Sequence, residues 1–332
     1  MAGNFVQLHN HTHYSLLDGA SKVPDLVKRV KELGMPAVGI TDHGNMHGAY
    51  ELWRAAVDSG VKPIIGIEAY VTPETARQDK TRVSWDTNWT PVPGHARNPD
   101  DVSGGGLITH LTMWAENDEG LVNLIKASSV ANLEGRVMRY PRMDKEVLST
   151  YSKGVIASSG CPSGIIQTRL RLGQFDEALR AAGEFQDIFG KDNFYIELMD
   201  HGLSIESKVT GDLLTIAKKL GAPLLATNDS HYVMEADKDA QDAMLCINSG
   251  ATLDDPNRFK FEGSGYYIKS AEEMRELFKD HPDACDNTLE IAERCNVIFD
   301  DHEDGAFMPQ FDCPEGWDET SLFLKKVEEG LE

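Results

Sequence analysis

Short apolar segments alternate with amphipathic segments over roughly the first 250 residues of the chain. The apolar segments are rich in Val, Ile, Leu and aromatic residues, a pattern that predicts buried strands. They lie at residues 4–9, 37–41, 63–71, 107–115, 154–160, 194–199 and 223–229. The amphipathic segments predict helices at residues 23–33, 48–58, 118–132, 164–189, 205–220 and 236–248.

This alternation predicts an α/β fold whose strands lie side by side and run parallel. Seven strands nearly suffice to close a TIM-like (βα) barrel, and such barrels carry their sites at the C-terminal ends of the strands. We therefore expect functional residues around one face of the barrel, the face where those strand ends meet, which we call the mouth.

Residues 73–106 interrupt the alternation after the third predicted strand, and they are polar and rich in Pro and Gly. An insertion this long in a compact domain is usually functional or disordered. Its aromatic and basic residues are Trp85, Trp89, Arg77, Lys80, Arg82 and Arg97. The tryptophans either stack on single-stranded nucleic acid or pack on the barrel, and we favour packing.

The C-terminal part also departs from the alternation. Residues 260–270 predict a hairpin or a short strand pair, residues 271–295 predict helical structure, and residues 318–330 predict a short helix without a core of its own. We place the barrel at residues 1–285 and a small helical extension at residues 286–332.

Composition and charge exclude several classes of protein. No apolar run approaches the roughly 20 residues needed to span a membrane, and the first residues, MAGNFVQLH, do not resemble a secretory signal. Five Cys at irregular spacing do not predict a disulfide framework, so we expect a cytoplasmic protein. The net charge of -22 argues against a free nucleic-acid-binding module, because such modules are usually basic.

Potential metal ligands stand close to the ends of six predicted strands. They are His9, His11, Asp18, His43, Glu68, His110, Cys161, Asp229 and His231. On a strand, residues two apart share one face, so His9 and His11 form a pair, and Asp229 and His231 repeat that spacing. Their joint occurrence at six strand ends favours a metal site over a set of unrelated structural residues.

The number and types of these ligands predict more than one ion. Zinc takes four or five ligands, so nine ligands predict two to three divalent ions. Imidazole suits zinc, manganese and iron, Glu68 and Asp229 are candidates to bridge ions, and Cys161 favours zinc at one position. A polynuclear site of this kind indicates phosphoester hydrolysis. Because no Ser-His-Asp arrangement stands out, we predict that His9, His11, Glu68 and Asp229 act through the ions they hold.

These residues resemble the motif of the polymerase and histidinol phosphatase (PHP) superfamily, in which HxH is followed by Asp or His, DH, Glu, His, His or Cys, and DxH. Longer segments resemble the N-terminal region of bacterial replicative subunits of the DNA polymerase III alpha type, most closely those of actinobacteria, over roughly residues 4–330. The segments are LHNHTHYSLLDGA, GITDHGNMHGAYE, GCPSGIIQTRLRLGQ, ELMDHGL and DPNRFKFEGSGYYIKSAEEM.

The resemblance implies a distorted seven-stranded (βα)7 TIM-like barrel, the PHP fold, around a trinuclear and usually zinc-containing site. In members that retain all ligands it implies metal-dependent 3′–5′ proofreading exonuclease activity, and every ligand position is filled here. The implied partners are the 3′ end of primer DNA, the remainder of a polymerase III alpha chain and the replisome, with no membrane. The polymerase active site would follow residue 332.

Two other functions stay open at this point. The chain could be a catalytically silent metal-binding module that stabilises a polymerase, or a small-molecule phosphatase of the histidinol-phosphate type. Among other residues, His201 is a weaker ligand candidate and Asp42 is a candidate to orient a ligand. His13 and His47 are expected beside the ligands or in solvent.

Overall fold

The computed structural model describes residues 4–86, 88, 90, 98, 100–101, 105–299 and 311–331. The chain divides into two compact units, Met1–Ile298 and Phe299–Glu332. The first unit contains the sheet, and the second contains the predicted short helix near the C-terminus, at Glu319–Leu331. Within the described residues, no helix has the length and apolar character required to cross a membrane.

The strands match the predicted apolar segments except at the first one, and one short strand is additional. They are β1 (Ala37–Ile40), β2 (Lys62–Val71), β3 (Thr109–Ala115), β4 (Arg142–Met143), β5 (Val155–Ser158), β6 (Phe194–Leu198) and β7 (Leu224–Ala226). The α-helices are α1 (Val23–Glu32), α2 (Ala49–Ser59), α3 (Asp118–Glu134), α4 (Lys145–Thr150), α5 (Ile165–Arg171), α6 (Phe175–Phe189), α7 (Ser204–Leu220), α8 (Lys238–Ser249), α9 (Ala271–Leu277), α10 (Pro282–Arg294) and α11 (Glu319–Leu331).

One curled sheet forms the barrel wall. Its strand order is β1-β2-β3-β5-β6-β7, and β4 pairs with the end of β2. The predicted first strand is reduced to isolated bridges, in which Gln7 pairs with Val38 of β1 and Asn10 pairs with Ser230 just after β7. Residues 4–12, which we call the closing segment, span the gap between the edge strands β1 and β7, so the prediction of a distorted seven-stranded barrel is confirmed.

The prediction of an all-parallel sheet is wrong at one strand. β3 runs antiparallel to both β2 and β5, whereas the other long neighbours pair in parallel. A parallel strand needs a crossover that carries the chain back across the sheet, and the described residues between β2 and β3 contain no helix that does so. β3 therefore begins at the mouth, where β2 ends.

Two further predictions differ from the structure. The segment 164–189 forms α5 and α6 instead of one helix, because Gly173 between them has a left-handed φ of 72°, which interrupts a helix. The predicted hairpin at 260–270 is wrong. That segment pairs with the barrel instead, through a parallel bridge between Tyr267 and Tyr232.

A buried apolar cluster joins all the long strands with α10. It contains Val6, Leu8, Ala37, Ile64, Trp114, Ile156, Tyr195, Leu225, Ile291, Ala292 and Cys295. The indole of Trp114 is fully buried and donates to the backbone oxygen of Leu8 at 3.1 Å, which ties β3 to the closing segment. The predicted boundary at residue 285 falls within α10, and the division of function at that position stays a prediction.

Trp85 packs on the barrel, as predicted. Its side chain is 8% exposed, and the guanidinium carbon of Arg169 in α5 lies 4.3 Å from its ring centroid. The side-chain amide of Gln174 donates to the backbone oxygen of Trp85 at 2.8 Å. This ring is therefore not free to stack on nucleic acid, while Trp89 and Arg97 lie outside the described residues.

Candidate metal centre

The mouth of the barrel brings together the nine side chains that the sequence predicted as ligands. They lie in the closing segment (His9, His11), the loop after it (Asp18), β2 (Glu68), the second residue of β3 (His110), and the loops after β1 (His43), β5 (Cys161) and β7 (Asp229, His231). Contacts of less than 4 Å between their polar atoms join all nine in one cluster. We call these residues the mouth cluster.

The carboxylate of Glu68 lies at the centre of one half of the mouth cluster. Its Oε2 is 2.5 Å from His43 Nδ1 and 3.0 Å from His110 Nδ1, and its Oε1 is 3.4 Å from His9 Nε2. The side chain is 1% exposed. One buried carboxylate thus faces imidazoles from three different strand ends, as a bridging ligand would.

The carboxylate of Asp229 lies at the centre of the other half of the mouth cluster. Its Oδ1 is 3.0 Å from His11 Nε2, 3.3 Å from His9 Nε2 and 3.7 Å from His231 Nδ1. Asp229 also has a left-handed φ of 43°, which is unusual for a residue with a side chain and concentrates at functional sites. Its backbone is held in a conformation that aims the carboxylate at the histidines.

Three groups of three ligand atoms lie within 4.8 Å of one another among the described residues. They are His11, His43 and His231; His9, His11 and Asp229; and His43, Glu68 and His110. Shared members connect the groups, so they form one site with several positions. Imidazole and carboxylate donors at this spacing suit divalent metal ions.

Buried polar atoms without hydrogen-bond partners show whether these side chains suit divalent ions. A buried polar atom without a hydrogen-bond partner is costly and rare in a folded protein. Eight such atoms belong to the mouth cluster, where they approach one another without the geometry of hydrogen bonds: His9 Nε2, His11 Nε2, Asp18 Oδ1, His43 Nδ1, Glu68 Oε1 and Oε2, Asp229 Oδ1 and His231 Nε2. Each is a normal ligand atom, so divalent ions would satisfy the whole group at once and the residues fit them.

Protonation differs among the members of the mouth cluster. Burial and the neighbouring imidazoles of His43 and His231 lower the pKa of His11 to about 3, so its ring is neutral. Although burial opposes ionisation, the imidazoles of His110 and His43 hold the pKa of Glu68 well below its usual value. At neutral pH His11 and Glu68 are therefore in the forms that bind a metal ion. Although burial opposes protonation, Asp229 and Glu197 raise the pKa of His9, and Tyr70 and Glu68 raise the pKa of His43, well above the usual value. A metal ion must therefore displace a proton from each of these two rings.

Asp18 and Cys161 lie at the edge of the mouth cluster. Asp18 Oδ2 is 3.0 Å from His43 Nε2, and Cys161 Sγ is 3.4 Å from His110 Nδ1. Burial, with Glu68 and Asp229 nearby, raises the pKa of the Cys161 thiol well above its usual value. A metal ion at this position must therefore displace a proton from sulfur before the thiolate can bind.

Glu197 is a functional residue that the sequence analysis missed. Its fully buried carboxylate lies in β6 and accepts from Thr227 Oγ1 at 2.6 Å and from Ser158 Oγ, while Oε1 is 2.7 Å from His9 Nδ1. A carboxylate on the far nitrogen of a metal-binding His fixes the tautomer and the ring orientation. The available signal was a lone acidic residue in the apolar segment FYIELM.

We expect Glu197→Gln to weaken metal binding by about 10- to 100-fold, the usual cost of losing such an outer partner. The amide has nearly the same shape but cannot accept from all three neighbours, so His9 loses its fixed orientation. Competition with a chromogenic chelator would measure the affinity. Glu206→Gln is the matched control, because Glu206 makes the same kind of contact to His201, at 2.6 Å. Equal affinities for the two variants would contradict the assigned role of Glu197.

Asp42 orients the closing segment, as the sequence suggested. It accepts from the backbone nitrogen of Thr12 at 2.7 Å and from Ser15 Oγ at 2.6 Å, and Ser15 Oγ lies 3.0 Å from His11 Nδ1. His201 has a structural role instead, since its Nδ1 faces Glu206 and its Nε2 faces the backbone oxygen of Asn228 at 2.9 Å. Both of its ring nitrogens are thereby occupied.

The segment after α8 holds the loop that carries Asp229 and His231. The side-chain amide of Asn228 donates to the backbone oxygens of Gly265 and Tyr267 at 2.9 and 2.8 Å, and the backbone nitrogen of His231 donates to Tyr266 at 2.8 Å. The residues that were predicted to form a hairpin therefore fix one side of the mouth cluster.

A cleft of about 450 Å³ opens beside the mouth cluster. Two of its lining residues, Asp18 and His43, belong to that cluster. Others include His47, Tyr70, Arg136 and Arg139. The cleft offers a route from solvent to the mouth cluster, and it is large enough for part of a nucleotide.

The chain is similar in sequence to curated subunits of a bacterial DNA polymerase. The chain is 51% identical over 329 residues to the DNA polymerase III subunit alpha of Mycobacterium leprae and 51% identical over 328 residues to that of Saccharopolyspora erythraea, with 99% and 98% of this chain covered. It spans 27% of the length of each of these curated relatives.

A solved structure from Bifidobacterium adolescentis, titled as a candidate metal-dependent phosphoesterase, aligns with a TM-score of 0.38 and 15% identity, over 82% of this chain and 96% of that one. This likeness is too distant to specify chemistry. The family model described as the PHP domain matches residues 7–201. Since that match covers more than half of the chain, the protein belongs to the PHP domain family.

Proposed function

We propose that this protein is a metal-dependent phosphodiesterase that removes nucleotides from the 3′ end of DNA. One observation supports it above the others: eight buried ligand atoms without hydrogen-bond partners face one another beside an open cleft. A structural site is normally closed by protein ligands, whereas a catalytic site keeps a route for water and substrate.

We propose two to three divalent ions, zinc among them, with manganese or iron as alternatives. His9, His11 and Asp229 would hold one ion, while His43, Glu68 and His110 would hold another, with Cys161 beside it. His231 and Asp18 would complete the positions next to His11 and His43. When bound, such ions lower the pKa of a water molecule from about 15.7 to about 7 and neutralise charge on phosphate oxygens.

Neighbouring groups of the protein orient the imidazole rings of this site and fix which ring nitrogen carries the proton. Glu197 accepts from the Nδ1 side of His9, so that Nε2 points to Glu68 and Asp229. The backbone oxygen of Asp229 lies 2.7 Å from Nδ1 of His231, which leaves Nε2 of that ring as the ligand atom. Prepositioned donors of this kind need little reorganisation during a reaction.

The DNA substrate and the partners are inferred from the relatives, which are named as polymerase subunits. We propose that the primer 3′ end reaches this site within a longer polymerase III alpha chain of a cytoplasmic replisome, and that residues 286–332 lead towards the polymerase region. Such a site would remove a misincorporated nucleotide.

A primer labelled at its 5′ end should give a ladder that shortens progressively from the 3′ end. The net charge of -22 leaves few contacts that release counterions from DNA, so the isolated chain should bind weakly and cut faster at low salt. Gel electrophoresis of a single-stranded primer with added metal tests this. Immediate release of the labelled 5′ nucleotide would refute the polarity.

The two alternatives are separated by product and rate. A histidinol-phosphate type of phosphatase would release inorganic phosphate from small monoesters faster than nucleotides from DNA. A silent structural module would bind metal but leave a mismatched primer intact in a single-turnover assay. Nucleotide release that requires metal supports the proposed function against both.

A further inference from the structure

The cleft beside the mouth cluster carries a second set of residues that metal binding does not use. Two arginines, Arg136 and Arg139, line it together with Asp18 and His43. We propose that Arg136 and Arg139 bind backbone phosphates of single-stranded DNA next to the 3′-terminal linkage and direct that end into the metal centre. This inference rests on the proposed function and adds a substrate-binding subsite to it.

The charge of these arginines is available to a ligand. The chain has 54 acidic and 32 basic residues, and many of its arginines pair with carboxylates, as Arg77, Arg180 and Arg258 do. In the described part of the chain, neither Arg136 nor Arg139 has a carboxylate partner. Of the residues that line the cleft, Asp18 is the one with a carboxylate among those described, and it belongs to the mouth cluster.

Arg139 is presented on a tight turn. Val137 and Tyr140 exchange two backbone hydrogen bonds of 3.0 Å, so Met138 and Arg139 form a two-residue loop. Met138 has a left-handed φ of 55° and is 73% exposed, an arrangement that normally favours Gly or Asn. Strained backbone of this kind concentrates at functional sites, which fits a role for the turn in binding.

Aromatic contacts place this turn close to the proposed ligands. The guanidinium carbon of Arg139 lies 5.3 Å from the ring centroid of Tyr140, which packs edge-on at 5.1 Å against Tyr70. Tyr70 in turn lies 6.1 Å from His43 and 5.4 Å from His110. A phosphate on Arg139 would therefore be near the mouth cluster without displacing any of its residues.

Another part of the cleft lining is apolar and exposed. Leu16 and Leu17 line it with exposures of 78% and 39%, and Leu17 has a left-handed φ of 62°. Asn248 connects the two parts of the lining, because it accepts from Arg139 Nη1 at 2.6 Å and donates to the backbone oxygen of Leu17 at 3.3 Å. Cations in one part and an apolar surface in the other match a nucleotide, which has both a phosphate and a base face.

The test compares Arg139→Gln with Arg54→Gln in the full chain loaded with metal. Arg54 is an exposed arginine on α2 that pairs with Asp58 at 3.2 Å, so its replacement makes the same change in net charge elsewhere on the surface. Fluorescence anisotropy measures binding of a 5′-fluorescein single strand whose 3′-terminal linkages are phosphorothioates, which resist cutting. Rates on an ordinary oligonucleotide and on bis(p-nitrophenyl) phosphate are measured in parallel.

We expect Arg139→Gln to weaken strand binding about tenfold and to reduce the slope of log affinity against log salt by about 0.7, the value for one lost phosphate contact on a single strand. The ratio of oligonucleotide to small-diester kcat/KM should fall by a similar factor. Arg139→Lys, which keeps the charge, should recover part of the affinity.

Binding by Arg139→Gln that equals binding by Arg54→Gln, with an unchanged salt slope, would overturn the subsite. A wild-type chain that hydrolyses neither substrate would overturn the proposed function instead. The binding comparison does not depend on hydrolysis, so it still supports or overturns the subsite in that case.

Discussion

Asp229→Asn is expected to abolish metal-dependent hydrolysis while leaving the barrel folded. Loss of an outer partner of a metal ligand already costs about 10- to 100-fold, so loss of a ligand shared by several histidines should cost on the order of a thousandfold or more. The amide has nearly the same volume as the carboxylate. Asn also tolerates the left-handed φ of 43° at this position, so the loop should keep its conformation.

His11→Ala should have the same effect on activity, with a less conservative change in structure. The ring of His11 is fully buried and stacks 4.0 Å from His43 and 4.3 Å from His231, so its removal leaves a cavity. Rates of nucleotide release, together with metal content and circular dichroism, separate lost chemistry from lost fold.

His281→Ala serves as the control for both variants, because His281 lies at the start of α10 and outside the mouth cluster. Full activity in a folded Asp229→Asn variant with verified low metal content would point to a contaminating nuclease or to another site.

Metal removal should lower the melting temperature of the protein. Ions that bind only the folded state stabilise it by about 4 kcal/mol per site when their free concentration is a thousandfold above Kd. The unfolding entropy is about 2.1 cal/mol/K per residue, so for the unit Met1–Ile298 this corresponds to a shift of about 6 °C for each ion removed. Without ions, the unpaired atoms of Glu68 and Asp229 stay buried, which is a structural source of this loss.

Calorimetry before and after chelation, with elemental analysis of both samples, measures this effect. We expect two to three equivalents of metal before chelation and almost none afterwards. Asp229→Asn should show a smaller shift, because it binds fewer ions from the start. An unchanged melt after verified metal removal would show that the ions do not stabilise the fold.

Local spacing explains how far the sequence predicts the site. Pairs such as His9 and His11 share a strand face because of the two-residue period, and that period depends only on neighbours in the chain. The same local logic predicted the positions of most strands and helices. It failed at 164–189 and at 260–270, where a left-handed glycine and a long-range bridge decide the structure.

Contacts distant in sequence explain what was missed. Glu197 meets His9 across 188 residues, so its role depends on β6 lying beside the closing segment. Asn228 is fixed by residues 37 to 39 positions later. Neither contact leaves a periodic trace in the sequence.

By itself, the sequence determined the types of the candidate ligands, their placement near strand ends, the barrel class and the family, because residue chemistry and short-range periodicity are local properties. The tertiary structure alone decided the reversed direction of β3, the partner of His9, and the cleft that joins Arg139 to the mouth cluster. These depend on which distant segments pack together, and that choice is made by the free energy of the whole fold.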